Sequence, residues 1–209
     1  MEKNKTRLLA ESGLMIALAA ILSLVKIFAL PFGGSVTLCS MLPIMIISYR
    51  NGVKWGLFTG VAYGIVQLLL DIPSGIFKGI TLGSIAGIIV FDYLIAFTCL
   101  GLAGIFKKAI KNQSLAILCG VIVAGLARYL SHVISGYIFY SSYAEWFFGQ
   151  DGFTLGQTIL SKYSGKTLFI IYTLFYNATF MVPEIIITSI VAVLVGGIFT
   201  LTSKKMTAK

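Results

Sequence analysis

The sequence predicts an all-α integral membrane protein: one domain spanning 1–209, with six transmembrane helices and both termini in the cytoplasm. Three observations carry this reading. Of 209 residues, 58% are hydrophobic and only 11% charged, whereas a soluble domain carries about 25% charged residues. The mean hydropathy is +0.97; a globule this small cannot hide so much apolar surface from water, so its solvent is lipid. The cations, finally, sit in short clusters between apolar runs, as in cytoplasmic loops.

A crossing needs about 20 mainly apolar residues. Six runs qualify: 8–30, 36–50, 54–71, 80–106, 115–140 and 168–201. The first has no small-residue cleavage site after a short apolar core, so it reads as a retained helix and not a signal peptide. "LPFGGSV" separates the first two, because Pro31, Gly33 and Gly34 do not continue a helix. "SYRNG" turns the chain between the second and third, "DIPSG" opens the next connection, and "FKKAIKNQ" the one after. The second and third runs are short; the last is long enough to tilt or project.

Orientation follows from the cations. With the N-terminus inside, inner segments hold Lys3, Lys5, Arg7, Arg50, Lys54, Lys107, Lys108, Lys111, Lys204, Lys205 and Lys209. The outer side holds Lys26, Lys78, Lys162 and Lys166, and Arg128 lies within a span. That asymmetry places both termini in the cytoplasm and requires an even number of spans. The net charge of +9 is therefore a topology signal; no basic stretch is long enough to track a nucleic-acid backbone.

Cys39, Cys99 and Cys119 are odd in number and far apart, matching neither a disulfide framework nor a zinc motif. They read as small core residues. The one long loop, 141–167, falls outside and contains Glu145, Trp146, Phe147, Phe148 and Asp151. Its aromatics suit either an interfacial belt or a lid over an outward pocket.

Ionisable groups inside a span are costly and face a cavity or a partner. Asp92, Arg128, His132 and Glu184 form that set. Asp92 on the fourth span, His132 on the fifth, Tyr172 and Asn177 on the sixth, and Tyr63 with Gln67 on the third all approach the outer side. Such convergence describes either a pocket or an interhelical network with Arg128 paired to Asp92. The pocket reading is favoured, because a carboxylate, an imidazole, an amide and several tyrosines meet at one depth. Tyrosine faces attract cations and stack on flat rings, while Asn177 and His132 can donate and accept. The guest expected is a small, flat heteroaromatic molecule, cationic in one version. Glu184, after Pro183, reads as a structural partner or a proton-coupling group. His132 and Tyr140, about two turns apart, share a face of the fifth helix.

Small-residue pairs (Gly13 with Ala17, Gly60 with Gly64, Gly83 with Gly87) have the spacing for close helix contact. The "GLMIALAA" face of the first helix alternatively docks another protein. No GxxxxGK[ST] loop, HExxH or GxSxG motif is present, so the chain reads as no enzyme, and uphill transport would need an ion gradient or a separate ATPase.

The order and depth of these segments resemble the thiamine-specific substrate-binding (S) components of energy-coupling factor transporters, the ThiT or YuaJ family. The likeness rests on "RLLAESGLMIALAAILSL", "GGSVTLCSMLPI", "RNGVKWGLFTGVAYGIVQLLL", "DYL" at Asp92, "RYLSHVISGYIFY" and "YTLFYN", which together cover essentially the whole chain. The resemblance implies a multi-pass protein of the cell membrane that captures thiamine from outside and holds no cofactor. It also implies a transmembrane coupling subunit and two ATPase subunits as partners, which use the ATP. It maps substrate binding onto Asp92, Tyr93, His132, Tyr140, Tyr172, Asn177 and Tyr63, and partner docking onto Gly13 and Ala17.

Three departures stand out. Asp92 occupies a glutamate's place, Tyr140 and Tyr63 stand where some members have tryptophan, and "GGSVTLCS" lacks a tryptophan and an acid. A pyrimidine precursor of thiamine as ligand, and a stand-alone proton-coupled carrier as mechanism, are the alternatives.

Overall fold

The computed structural model describes residues 5–30, 33–77 and 80–207, with side chains as far as Thr200. The expectations that rest on Pro31, Lys3, Lys78 and Lys209 lie outside the described residues. Helix α1 is Lys5–Leu24; strands β1 (Lys26–Ala29) and β2 (Ser35–Thr37) follow, then α2 (Leu42–Asn51) and α3 (Val53–Asp71). Helix α4 spans Leu82–Gly104 and α5 Gln113–Phe139; α6 (Ala144–Phe148) and α7 (Thr154–Lys162) are short, and α8 is Gly165–Thr207.

Among the described residues, five helices are long and apolar enough to cross a membrane: Lys5–Leu24, Val53–Ser74, Leu82–Gly104, Gln113–Phe139 and Gly165–Thr200. Their outward faces carry large apolar side chains such as Leu14, Leu82, Ile190 and Leu194. Exposed apolar surface on this scale suits lipid and not water.

The expected second span, 36–50, differs. Its helical part is only Leu42–Asn51, about 15 Å at 1.5 Å per residue, against a hydrocarbon layer of about 30 Å. The expected first span also stops early, at Leu24. The cause is local pairing. Residues 26–29 and 35–37 form an antiparallel hairpin in which Lys26 faces Thr37 and Ala29 faces Ser35, so their backbone polar groups are used in a ladder. Cys39 then adopts a left-handed conformation at φ 59°, and helix resumes only at Leu42, with Pro43 in the first turn where its missing N–H costs nothing. Gly52, at φ 97°, breaks α2 from α3.

Cross-helix bonds give the relative directions. Trp55 Nε1 donates to Ser12 Oγ at 2.8 Å, Tyr63 OH to the Ala19 carbonyl at 3.2 Å, and Ser23 Oγ to Gln67 Oε1 at 3.1 Å. Both sets of numbers rise together, so α1 and α3 run parallel. The segment between them returns the chain to its starting side, where Arg50 pairs with Glu11 at 2.5 Å. Helix α4 runs antiparallel to α3 at backbone contact: a Cβ on Gly60 would lie 2.5 Å from the Phe97 carbonyl oxygen, and one on Gly64 2.7 Å from that of Tyr93. The Gly60–Gly64 pair is thus a packing motif, as its spacing suggests.

Residues Ile89–Ile95 of α4 form a π-helical segment. The wider turn displaces backbone from the regular ladder, and Ser131 Oγ of α5 donates to the Phe91 carbonyl at 2.6 Å. Such segments concentrate at functional sites, and this one carries Asp92 and Tyr93. The loop 141–167 is mostly helical: Phe147 and Phe148 of α6 pack edge-on against Tyr172, at 5.5 and 6.4 Å between ring centroids.

Candidate functional site: a polar cavity between α3, α4, α5, α8 and the hairpin

One cavity of about 550 Å³ lies at the end of the bundle where α1 and α3 finish and α8 begins. Asp92, Tyr93, His132, Tyr140, Tyr172 and Asn177 all line it. With Gln67 of α3, which also lines it, four of the sequence elements singled out by their polar residues meet in one volume.

The centre of the site is a chain of four side chains. Arg128 Nε donates to His132 Nε2 at 3.2 Å. Arginine has no acceptor, so Nε2 must carry the lone pair and the ring proton sits on Nδ1. That nitrogen is 2.7 Å from Asp92 Oδ1 and donates to it. Asp92 Oδ2 accepts from Ser135 Oγ at 2.5 Å. His132 is thus a neutral imidazole with both nitrogens engaged, and the α5 spacing of 128, 132 and 135 puts all three on one face. The Arg128 guanidinium carbon also lies 4.4 Å from the Phe97 ring centroid, a cation–π contact in a desolvated setting. The Arg128–Asp92 ion pair of the alternative network reading is absent among the described residues; the histidine stands between them.

Asn177 completes the wall. Its Nδ2 donates to the carbonyls of Thr173 at 2.8 Å and His132 at 3.3 Å. Those acceptors settle the amide orientation and leave Oδ1 without a partner among the described residues, an acceptor for a ligand N–H. The hydroxyls of Tyr140 and Tyr172 likewise have no hydrogen bond there, whereas Tyr93 OH donates to Asp71 Oδ2 at 3.1 Å.

Tyr63 is the exception among the expected ligands. It is fully buried, donates to the Ala19 carbonyl, meets Phe97 edge-on at 5.1 Å, and does not line the cavity. The reason is its depth: one turn below Gln67, its hydroxyl is held on the α1 backbone and its ring is covered by Phe97 of α4. Gly13 and Ala17 lie on the exposed face of α1, and a Cβ on Gly13 would touch nothing within 4 Å. Gly83 is equally open, while Gly87 faces the Phe139 ring.

Two lining residues, Asp71 and Tyr176, carry no sequence signal that sets them apart from a turn residue and a stripe of neighbouring tyrosines; Ser135 supports the site from behind, through its bond to Asp92. The hairpin forms another wall: Tyr176 OH donates to the Gly33 carbonyl at 3.1 Å. Glu184 accepts from the Thr37 N–H at 2.8 Å and from the Thr37 hydroxyl at 2.6 Å. Tyr176, Phe180 and Glu184 recur every four residues on α8, and Phe180 packs against Gly34. One stripe of α8 therefore grips the hairpin along its length.

Comparison with known proteins agrees with this architecture. A family model described as "Thiamine transporter protein (Thia_YuaJ)" matches residues 9–151. The chain is 33% identical to the thiamine transporter ThiT of Bacillus subtilis (strain 168) over 194 residues, 88% of this chain and 86% of that one. It is 32% identical to the thiamine transporter ThiT of Lacticaseibacillus paracasei over 113 residues, half of this chain and 54% of that one. A solved structure of ThiT from Listeria monocytogenes shares the fold, with a TM-score of 0.62 at 21% identity and coverage of 96% and 97% of the two chains. The chain belongs to the Thia_YuaJ thiamine transporter family.

Proposed function

We propose that the protein is the substrate-binding membrane subunit of an ATP-driven vitamin importer, which captures thiamine from outside and passes it inward with an energy-coupling factor subunit and two ATPases. It does no covalent chemistry itself. The observation that carries this is the Asp92–His132–Arg128 array facing the free Asn177 acceptor in one cavity, within a chain of this family. Thiamine is a monocation built from an aminopyrimidine and a thiazolium ring. Its amino group suits the Asn177 acceptor and Asp92, and its flat rings suit the tyrosine walls.

Six membrane passes with both termini inside fit the alternation of helix directions. The second pass would then be made by the hairpin and turn before Leu42 together with the short α2, about 15 Å long. The cavity then opens outward. The exposed Gly13–Ala17 face of α1 suits close approach of a second helix and is the proposed docking surface for the coupling subunit.

Two measurements test the reading. Thiamine added to the detergent-purified protein should quench its intrinsic fluorescence with saturable, tight binding; absence of thiamine binding, with tight binding of another vitamin, rejects the substrate. Vesicles should accumulate thiamine only when the coupling subunit, both ATPases and ATP are present. Uptake by this chain alone under a pH gradient would replace the importer with a proton-coupled carrier.

A further inference from the structure

Resting on the thiamine reading of the cavity, we propose that Glu184, and not Asp92, supplies the counter-charge for the ligand's cationic ring, so that recognition is divided between two carboxylates on different helices.

The cavity's charges do not cancel. Asp71, Asp92 and Glu184 line it against Lys26 and Arg128, and His132 is neutral because Arg128 donates to its Nε2. Among the described residues, three carboxylates facing two cations leave one unit of negative charge, which matches a monocation. Burial makes that excess costly until a guest neutralises it.

The three carboxylates are not equivalent. Asp92 has one oxygen on the His132 ring and the other on Ser135, and that array sits beside Asn177, which suits a neutral hydrogen-bonding ring. Asp71 holds the Tyr93 hydroxyl at the end of α3. Glu184 is 2% exposed, and its hydrogen-bonding neighbours are neutral: two bonds come from Thr37, with the Ser40 hydroxyl beside them. Among the described residues, no Lys, Arg or His nitrogen lies within 4.0 Å of it. Arg128 acts on it from further away, and that guanidinium is already committed to His132 and the Phe97 ring. Each Glu184 oxygen keeps a lone pair beyond its Thr37 bond. A buried carboxylate that is held in place, lines the cavity and has no ion pair is the group a cationic guest completes.

The test compares thiamine with the isosteric analogue in which carbon replaces the ring's quaternary nitrogen, a neutral molecule of the same shape. The purified wild type should bind thiamine at least about tenfold tighter than the analogue; equal affinities overturn the proposal. Glu184→Gln keeps the shape and a bond to Thr37, and should bring the two affinities to within about threefold of each other by weakening thiamine. An unchanged ratio in this variant overturns the proposal. Asp92→Asn should weaken both compounds and keep the wild-type preference, and this arm decides the matter if Glu184→Gln does not fold. Loss of the preference in Asp92→Asn would assign the counter-charge to Asp92. A wild type that binds neither compound rejects the thiamine reading, and the proposal with it; a wild type that binds both equally rejects the proposal alone.

Discussion

The Arg128 Nε–H points at His132 Nε2 across 3.2 Å, and this contact settles which ring nitrogen carries the proton. With Nε2 an acceptor, Nδ1–H donates to Asp92. The lone histidine of the chain thus stands between an arginine and an aspartate with both ring nitrogens engaged, which leaves only its ring face open to the proposed ligand.

The tautomer makes a prediction that separates two histidine substitutes. An asparagine amide nitrogen lies near the position of Nδ1, so His132→Asn retains a donor to Asp92, whereas His132→Ala does not. Thiamine titration should find His132→Ala weaker than His132→Asn by about tenfold, the range for a hydrogen bond to a charged group. Equal losses would mean that the ring acts only through its shape.

Removing the charge at Asp92 has a comparable expected cost. In Asp92→Asn one of the two acceptors becomes an amide donor facing Ser135 or His132. Bonds to a charged group contribute about 1.5–3 kcal/mol, so affinity for thiamine should fall roughly ten- to a hundredfold. Asp92→Glu, one methylene longer, should retain more binding than Asn. The check is the same titration, with thermal unfolding in detergent as the folding control.

Asn177 is assigned one structural and one ligand-facing end. Asn177→Ala removes both, losing the Thr173 and His132 carbonyl contacts and the free Oδ1. Asn177→Asp keeps the outward oxygen but turns the inward donor into a second acceptor facing two carbonyls. We expect Asn177→Asp to be less stable than the alanine variant by about 1–3 kcal/mol, the cost of an unsatisfied buried group, in thermal or denaturant unfolding.

Glycines of the same sequence spacing should respond oppositely. A methyl group on Gly60 or Gly64 runs into the backbone carbonyl of Phe97 or Tyr93, which cannot turn aside as a side chain could. Gly60→Ala and Gly64→Ala should each cost about 1–3 kcal/mol. Gly13→Ala meets open space and should leave unfolding unchanged.

Bulk on the open face of α1 tests partner docking. Gly13→Trp and Ala17→Trp should bind thiamine as the wild type does, yet abolish uptake in vesicles that contain the coupling subunit and the ATPases. Uptake that survives both changes would remove this face from the transport assembly.

Much of this was legible along the chain because lipid as solvent demands long apolar runs. The runs 54–71, 80–106 and 115–140 correspond closely to helices Val53–Asp71, Leu82–Gly104 and Gln113–Phe139. The hairpin was not legible, because Lys26–Ala29 and Ser35–Thr37 are apolar enough to pass for helix ends, and only their mutual hydrogen bonds make them strands. Tyr63 and Asp71 show the same limit from opposite sides: both belong to α3, and the direction each faces depends on where α1 and α4 pack. The sequence leaves Glu184 either structural or proton-coupling, since nothing local to "VPEI" indicates that Thr37, 147 positions earlier, holds both of its oxygens.

By itself, then, the sequence determined the solvent, the helical class, the family resemblance and most of the polar residues that meet in the cavity, since charge inside an apolar run is costly wherever the chain folds. Only the tertiary structure decided the tautomer of His132, the exclusion of Tyr63, the π-helical setting of Asp92 and the pairing of Glu184 with the hairpin. Each of these depends on distances between atoms of different helices, and no periodicity within one helix encodes them.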